Sequence, residues 1–208
     1  MGRSATSSTL EGLDAATVHE AYGRRGALPS AIRPVDPRFR VCGPAFTVDC
    51  PPIDNLWIHH ALYEAGPGSV LVVDTRGGRE AGYWGEILSV AAVARGLGGL
   101  VIDGGVRDVD RLIDIGLPIF AAGVCLRGTG KDPDADGRLG EPVVIGTTLV
   151  RTGDVVVGDR DGVVVVATED ADAVADAARE RLRKEEDVMT QLRAGATTLE
   201  IYGLPQVG

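Results

Sequence analysis

The sequence predicts a mixed α/β domain, and three features predict it. "GSVLVVDT" and "GGLVID" are short and almost wholly apolar, the pattern of strands buried on both faces. Segments with helical spacing of apolar residues fall between such runs. Beyond Pro142, Gly-Asp and Asp-Gly pairs part short β-runs, which marks hairpins and therefore antiparallel pairing alongside the parallel strands. With 208 residues, the chain suits one domain spanning 1–208, long enough to bury a core without disulfides.

Taken in order, residues 1–9 are small and polar and read as frayed. "STLEGLDAATVHEAYGRRG" gives one or two short helices closed by Gly23 or Gly26, with Ser8 and Glu11 spaced as a capping box. "LPSAIRPVDPRF" has three prolines and reads as a loop, and "RVCGPAFTVDCPP" as a strand stopped by Pro51 and Pro52. "DNLWIHHALYEAG" is a helix capped by Asp54 or Asn55, followed by the strand ending near Asp74. After the glycine-rich loop "RGGREAGYWG", "EILSVAAVARG" is apolar almost all round, the signature of a buried helix. A strand ending near Asp103, a short helix "DVDRLIDIG" and a third strand "LPIFAAGVCL" follow. After a polar stretch from Arg127 to Glu141 come the hairpins, then a long amphipathic helix over 168–196, capped by Thr168.

Composition narrows the function. A net charge of -9 disfavours a nucleic-acid partner and is compatible with a divalent cation. Cys42, Cys50 and Cys125 have neither disulfide nor zinc spacing and read as small buried hydrophobes. Neither a signal peptide nor a membrane-spanning run is evident, and "MGRSAT" matches a myristoylation pattern only loosely, so the expected location is cytoplasmic.

Two segments carry candidate chemistry. The loop from Arg76 to Glu86 places four glycines before a helix start, a seat for a small carboxylate or phosphate and equally a flexible turn. In "IDGGVRD", Arg107 suits a carboxylate and Asp108 a hard cation, although Asp108 can also merely cap the next helix and Arg107 pair with Glu86. If the strands ending near Asp74 and Asp103 are neighbours, Glu86 and Asp108 meet and can hold Mg²⁺ or Mn²⁺ beside Arg107. "DPDADGRLGE" lacks the twelfth-position glutamate of a calcium loop. His59 and His60 read as packing or solvated residues, and Lys131 as a residue of a mobile loop.

A Glu, twenty residues, then Arg-Asp resembles the signature of the RraA-like family. "GPAFTV", "DNLWIHHAL", "GPGSVLVVD", "GLVIDGGVRD", "GLPIFAAG", "TGDVVVGDRDGVVVV" and "LRKEEDVMTQLRAG" also resemble family segments in family order, over residues 12 to 203. The resemblance implies a single-domain α-β-β-α sandwich of the swivelling β/β/α type, assembled as a homotrimer or a dimer of trimers. It implies a class II aldolase that cleaves 4-hydroxy-4-methyl-2-oxoglutarate-type acids to pyruvate and also decarboxylates oxaloacetate. By the same resemblance Asp108 binds the metal, Glu86 reaches it through water, and Arg107 contacts substrate. Asp103 is a further candidate ligand, since it adds to the acidity of the pocket. The amides of Ile87 and Leu88, next to Gly85, receive the pyruvyl carboxylate. Glu185, or Glu186, approaches from a neighbouring subunit. Glu86 stands where the aldolases carry Asp, one methylene shorter, which leaves metal preference open. Arg24, Arg25, Arg127 and Lys131 are candidates for a distal carboxylate. The family also holds non-enzymatic regulators that bind ribonuclease E. A menaquinone methyltransferase label attached to such sequences finds no S-adenosylmethionine-type glycine loop here.

Overall fold

Four parallel strands form the centre of the fold because their sequences leave no polar face to give to water. The computed structural model describes residues 9–207. The expected fraying of 1–9, Thr9 apart, and the Ser8 capping box lie outside that range. In chain order the elements are α1 (Ala15–Ala21), β1 (Arg33–Pro34), β2 (Val41–Asp49), α2 (Leu56–Glu64), β3 (Val70–Asp74), β4 (Gly82–Trp84), α3 (Glu86–Ala94), β5 (Gly99–Val106), α4 (Val109–Ile115) and β6 (Ile119–Val124). There follow β7 (Arg138–Leu139), β8 (Val143–Ile145), β9 (Thr148–Val150), β10 (Val155–Asp159), β11 (Gly162–Val166), a 3₁₀ turn (Thr168–Asp170), α5 (Ala171–Arg193) and α6 (Thr198–Tyr202).

The main sheet runs β1-β6-β5-β3-β2-β10-β11, with β4 added to β5 and β7 to β2. Strands β2, β3, β5 and β6 are mutually parallel, while β1, β7, β10 and β11 join antiparallel. Val70 to Val73 and Leu100 to Ile102 are fully buried, as runs without polar residues require. The sheet curls until its two ends nearly meet. Residues 26–28 hydrogen-bond along the outer edge of β11, and Arg33 of β1 donates to the Asp161 carbonyl in the β10–β11 turn at 2.7 Å. The fold is thus a single-domain mixed α/β structure, as the sequence predicts. β8 and β9 form a separate hairpin.

A second apolar layer lies outside the sheet, where Val18 of α1 and Val174 and Ala175 of α5 cover Val155, Val157, Val164 and Val166. No helix among the described residues is long and apolar enough to cross a membrane. No disulfide involves Cys42, Cys50 or Cys125 among the described residues. Burial pushes the Cys50 thiol up to about 12, so it is no nucleophile at neutral pH and behaves as the packed group its surroundings suggest.

Four local expectations fail. Strand β5 does not end at Asp103 but continues to Val106, because β4, hidden in the glycine-rich loop, pairs with its end through Gly82–Gly105 and Trp84–Val106. A three-residue strand shows no periodicity for sequence reading to detect. Helix α3 is not buried all round: Leu88, Ser89 and Ala92 face the core, but Ile87 is 81% exposed and Val90 and Val93 are half exposed. Thr168 does not cap α5, since its hydroxyl donates to the Gly153 carbonyl and α5 starts only at Ala171, directly after the 3₁₀ turn that Thr168 opens. The loop carrying Lys131 is tied down, as its contacts with 53–57 described below make clear.

Candidate active site

The carboxyl ends of parallel strands leave backbone loops facing outward, and here β4 and β5 deliver two of them to one place. Asp108 is the first residue after β5 that could cap α4, and its backbone is left-handed (φ 60, ψ 38), a region Asp tolerates better than most residues. Its carbonyl begins α4 by accepting from Leu112, yet its side chain makes no cap. Instead the carboxylate turns toward α3, where Oδ2 accepts the Glu86 N–H at 3.1 Å. The simple capping role is therefore not what Asp108 does.

Close approach of the two segments makes this possible. The Arg107 N–H donates to the Trp84 carbonyl at 2.9 Å, and the Gly82 N–H to the Arg127 carbonyl at 2.7 Å. Gly85 sits directly beneath the Asp108 carboxylate, where any Cβ would overlap Oδ2, and a Cβ at Gly82 would overlap the Cys125 carbonyl. Gly85 has extended backbone (φ -157), so space, not conformation, demands glycine there. Trp84 anchors the turn, buried with its indole N–H donating to Ser89 Oγ at 2.6 Å.

The result is a cleft of about 190 Å³ lined by Asn55, His59, Tyr83, Gly85, Ile87, Leu88, Arg107, Asp108 and Lys131, among others. The N–H groups of Ile87 and Leu88 donate to no acceptor among the described residues, and with the α3 dipole they suit an anion. The Arg107 guanidinium and the Glu86 carboxylate are exposed and pair with no described residue, so the two do not neutralise each other. The Asp108 carboxylate keeps Oδ1 free of protein partners, a donor suited to a hard cation. No set of three His, Cys, Asp or Glu that could hold a metal occurs among the described residues.

Asp103 is placed elsewhere. It pairs with Asp74 across β3–β5, and Asp74 with Asp49 across β2–β3, so three carboxylates stand in one row. Arg79 holds Asp103 at 2.7 Å and Arg76 holds Asp49 at 2.7 Å. Burial, with Asp49 and Asp103 beside it, pushes the Asp74 carboxyl up. Asp103 thus does not join Glu86 and Asp108 in one acidic pocket. Glu185 lies on α5, ion-paired to Arg181 at 2.8 Å, and Glu186 is next to it on the same helix; Glu185 lines a different cavity of the same chain. Of the four cations considered for a distal carboxylate, only Lys131 lines the cleft. Arg24 and Arg25 border a separate cavity of about 450 Å³, and Arg25 stacks on Tyr22.

Lys131 is held there by pairings the sequence does not announce. The Gly130 N–H donates to the Ile53 carbonyl at 2.8 Å, the Asn55 N–H to the Gly130 carbonyl at 3.2 Å, and the Trp57 indole to the Ala135 carbonyl at 3.0 Å. Asp54, buried, accepts the Leu56 N–H on Oδ1 and the Asp132 N–H on Oδ2. Replacing Asp54 with alanine is expected to cost about 1–3 kcal/mol in urea unfolding and to raise KM more than it lowers kcat, because Lys131 loses its tether. An unchanged midpoint and KM would show that Asp54 does not hold the loop.

His59 and Asn55, read from the sequence as a packing or solvated residue and as a helix cap, both lie on the cleft wall one helical turn apart. Asn55 donates Nδ2–H to the Tyr83 carbonyl at 2.8 Å, while its buried Oδ1 has no hydrogen-bond partner among the described residues. The sequence cues were their helical spacing and their place in "DNLWIHHAL", one of the segments that resemble the family.

The family model described as RraA-like, Aldolase/RraA, matches residues 13–165. A protein of Halalkalibacterium halodurans named "Putative 4-hydroxy-4-methyl-2-oxoglutarate aldolase" is 36% identical over 139 residues, 67% of this chain and 65% of that protein. The chain thus spans just under two thirds of that relative's length. A protein of Arabidopsis thaliana, number 3 under the same name, is 32% identical over 145 residues, 66% of this chain and 86% of its own. The crystal structure of Streptomyces coelicolor RraAS2, described as an unusual member of the RNase ES inhibitor RraA protein family, superposes with a TM-score of 0.78 at 29% identity. It covers 92% of this chain and 100% of its own.

Proposed function

Because the chain belongs to the RraA-like family, we propose that it is a divalent-metal-dependent lyase that releases pyruvate from 4-hydroxy-4-methyl-2-oxoglutarate-type acids and decarboxylates oxaloacetate. One observation carries the reading: the Asp108 carboxylate forgoes its own helix to stand at the unsatisfied N-terminus of α3, beside an unpaired Arg107.

In this reading the Ile87 and Leu88 amides receive the C1 carboxylate of the 2-oxo acid, and Arg107 steadies the 2-oxo end by charge-assisted hydrogen bonds. Lys131 faces the distal carboxylate. Mg²⁺ or Mn²⁺ would be held by Asp108, by Glu86 through water and by Glu185 of a neighbouring subunit, and when bound would supply electrophilic polarisation of the 2-oxo group.

The same surface supports the assembly part of this reading. Ile87, Val90 and Val93 form an exposed apolar stripe on α3, with Val124 and Leu126 also exposed at the end of β6 and beyond it. Such a surface is consistent with burial in a homotrimer or dimer of trimers, with the cleft between subunits. The test is pyruvate release from both substrates with Mg²⁺ or Mn²⁺ and after EDTA, together with the particle mass by light scattering. Turnover that EDTA abolishes and metal restores supports the reading. Absence of pyruvate above the metal-only blank would refute it and favour the second reading, a non-enzymatic regulator with a protein partner such as a ribonuclease, which the name of the Streptomyces neighbour supports.

A further inference from the structure

The proposed cleavage needs a group to take the proton from the C4 hydroxyl and one to return a proton to C3, and the residues discussed so far supply neither. Arg107 and Lys131 are cations, and in that reading Asp108 and Glu86 are given to the metal, Asp108 with one oxygen already committed to the α3 terminus. The wall formed by α2 is different. His59 lines the cleft with Arg107, Asp108 and Lys131, half-buried, and neither ring nitrogen hydrogen-bonds to a described residue. Its neighbour His60 points elsewhere, exposed and beside the Trp57 ring at 6.1 Å between centroids. One turn before His59, the orphaned Asn55 Oδ1 gives the same wall acceptor capacity that the protein does not use, as a hydroxyl-bearing ligand would need.

Resting on the function proposed above, we infer that His59 is the proton-transfer residue of the retro-aldol step. A neutral ring nitrogen takes the C4 hydroxyl proton, the C3–C4 bond breaks, and its electron pair passes into the enolate of pyruvate. The imidazolium then gives the same proton to C3, so neutral His59 is regenerated and no proton is consumed. The charge environment favours this cycle. Desolvation first, then the Lys131 ammonium and His60, hold the imidazole below its usual range, with only Asp54 opposing them. Arg107 and Asp108 face it across the cleft with charges of opposite sign. A neutral base at pH 7 whose conjugate acid is strong suits both halves of the transfer.

Oxaloacetate has no C4 hydroxyl, and its C–C cleavage needs no base, so CO₂ release in a single turnover, which precedes the return of a proton to C3, is an internal control for an intact cleft. The experiment compares both reactions in the metal-loaded enzyme for wild type, His59→Gln and His59→Ala. Retro-aldol kcat is expected to fall about 10²–10⁴-fold in His59→Gln, with single-turnover CO₂ release from oxaloacetate held within about threefold. Added imidazole should restore cleavage in His59→Ala. Equal losses on both substrates, no loss on either, or a failure of imidazole to rescue would overturn the assignment. A wild type without cleavage of the hydroxy acid would overturn the functional reading, and this inference with it.

Discussion

Asp108→Asn is expected to lower pyruvate release from either substrate by on the order of 10³-fold while leaving the thermal midpoint within a few degrees. Asparagine keeps the shape of the side chain, can still accept the Glu86 N–H, and tolerates the left-handed backbone at φ 60. What it removes is the negative charge and the anionic Oδ1. Alanine would be a poorer probe, since its left-handed backbone costs about 1–2 kcal/mol and confuses strain with chemistry. The discriminating measurements are steady-state kinetics over a metal titration and a thermal melt with and without Mg²⁺. Loss of both turnover and metal-dependent stabilisation is the expected pair. Activity within about threefold of wild type would remove Asp108 from the centre of the site.

Much of this arrangement was legible in the sequence because it is local. Buried strands appear as runs without polar residues, and the parallel pairing of β3 with β5, register Asp74 to Asp103, is what a strand-helix-strand order entails. The glycine-rich approach to α3 likewise marked a helix start open to an anion. The illegible parts depend on pairings between distant segments. Asp103 reads as a site acid if β5 stops there, but pairing with β4 and β6 carries the strand on to Val106, and Asp103 is ion-paired with Arg79. Lys131 looked mobile because nothing in "RGTGKDPDADG" forms an element. Its anchors, Ile53, Asp54, Asn55 and Trp57, lie more than seventy residues away. His59 reads as an ordinary position on an amphipathic helix until the opposite wall of the cleft is in place. The exposed face of α3 misled for another reason: an apolar helix signals burial, but not whether its own chain or another copy supplies the cover.

Gly85→Ala separates the two roles that glycine can have in such a loop. If Gly85 were needed for conformation, the substitution would destabilise the protein; with φ at -157 it should not, and the melt is expected to be nearly unchanged. If it is needed for space, the methyl must displace the Asp108 carboxylate, which shares that volume, or push back Arg107, whose Cγ is 3.3 Å from the Cβ position. Misplacement of a reacting group by about 1 Å costs roughly 10²-fold in rate, and a loss of that size is expected here. The double variant with Asp108→Asn makes the test specific. Because the methyl would act by moving the same carboxylate, Gly85→Ala should add little to a chain that already lacks the charge. Additive losses would place the importance of Gly85 in the backbone of α3, in the alignment of the Ile87 and Leu88 amides, and not in the seat of Asp108.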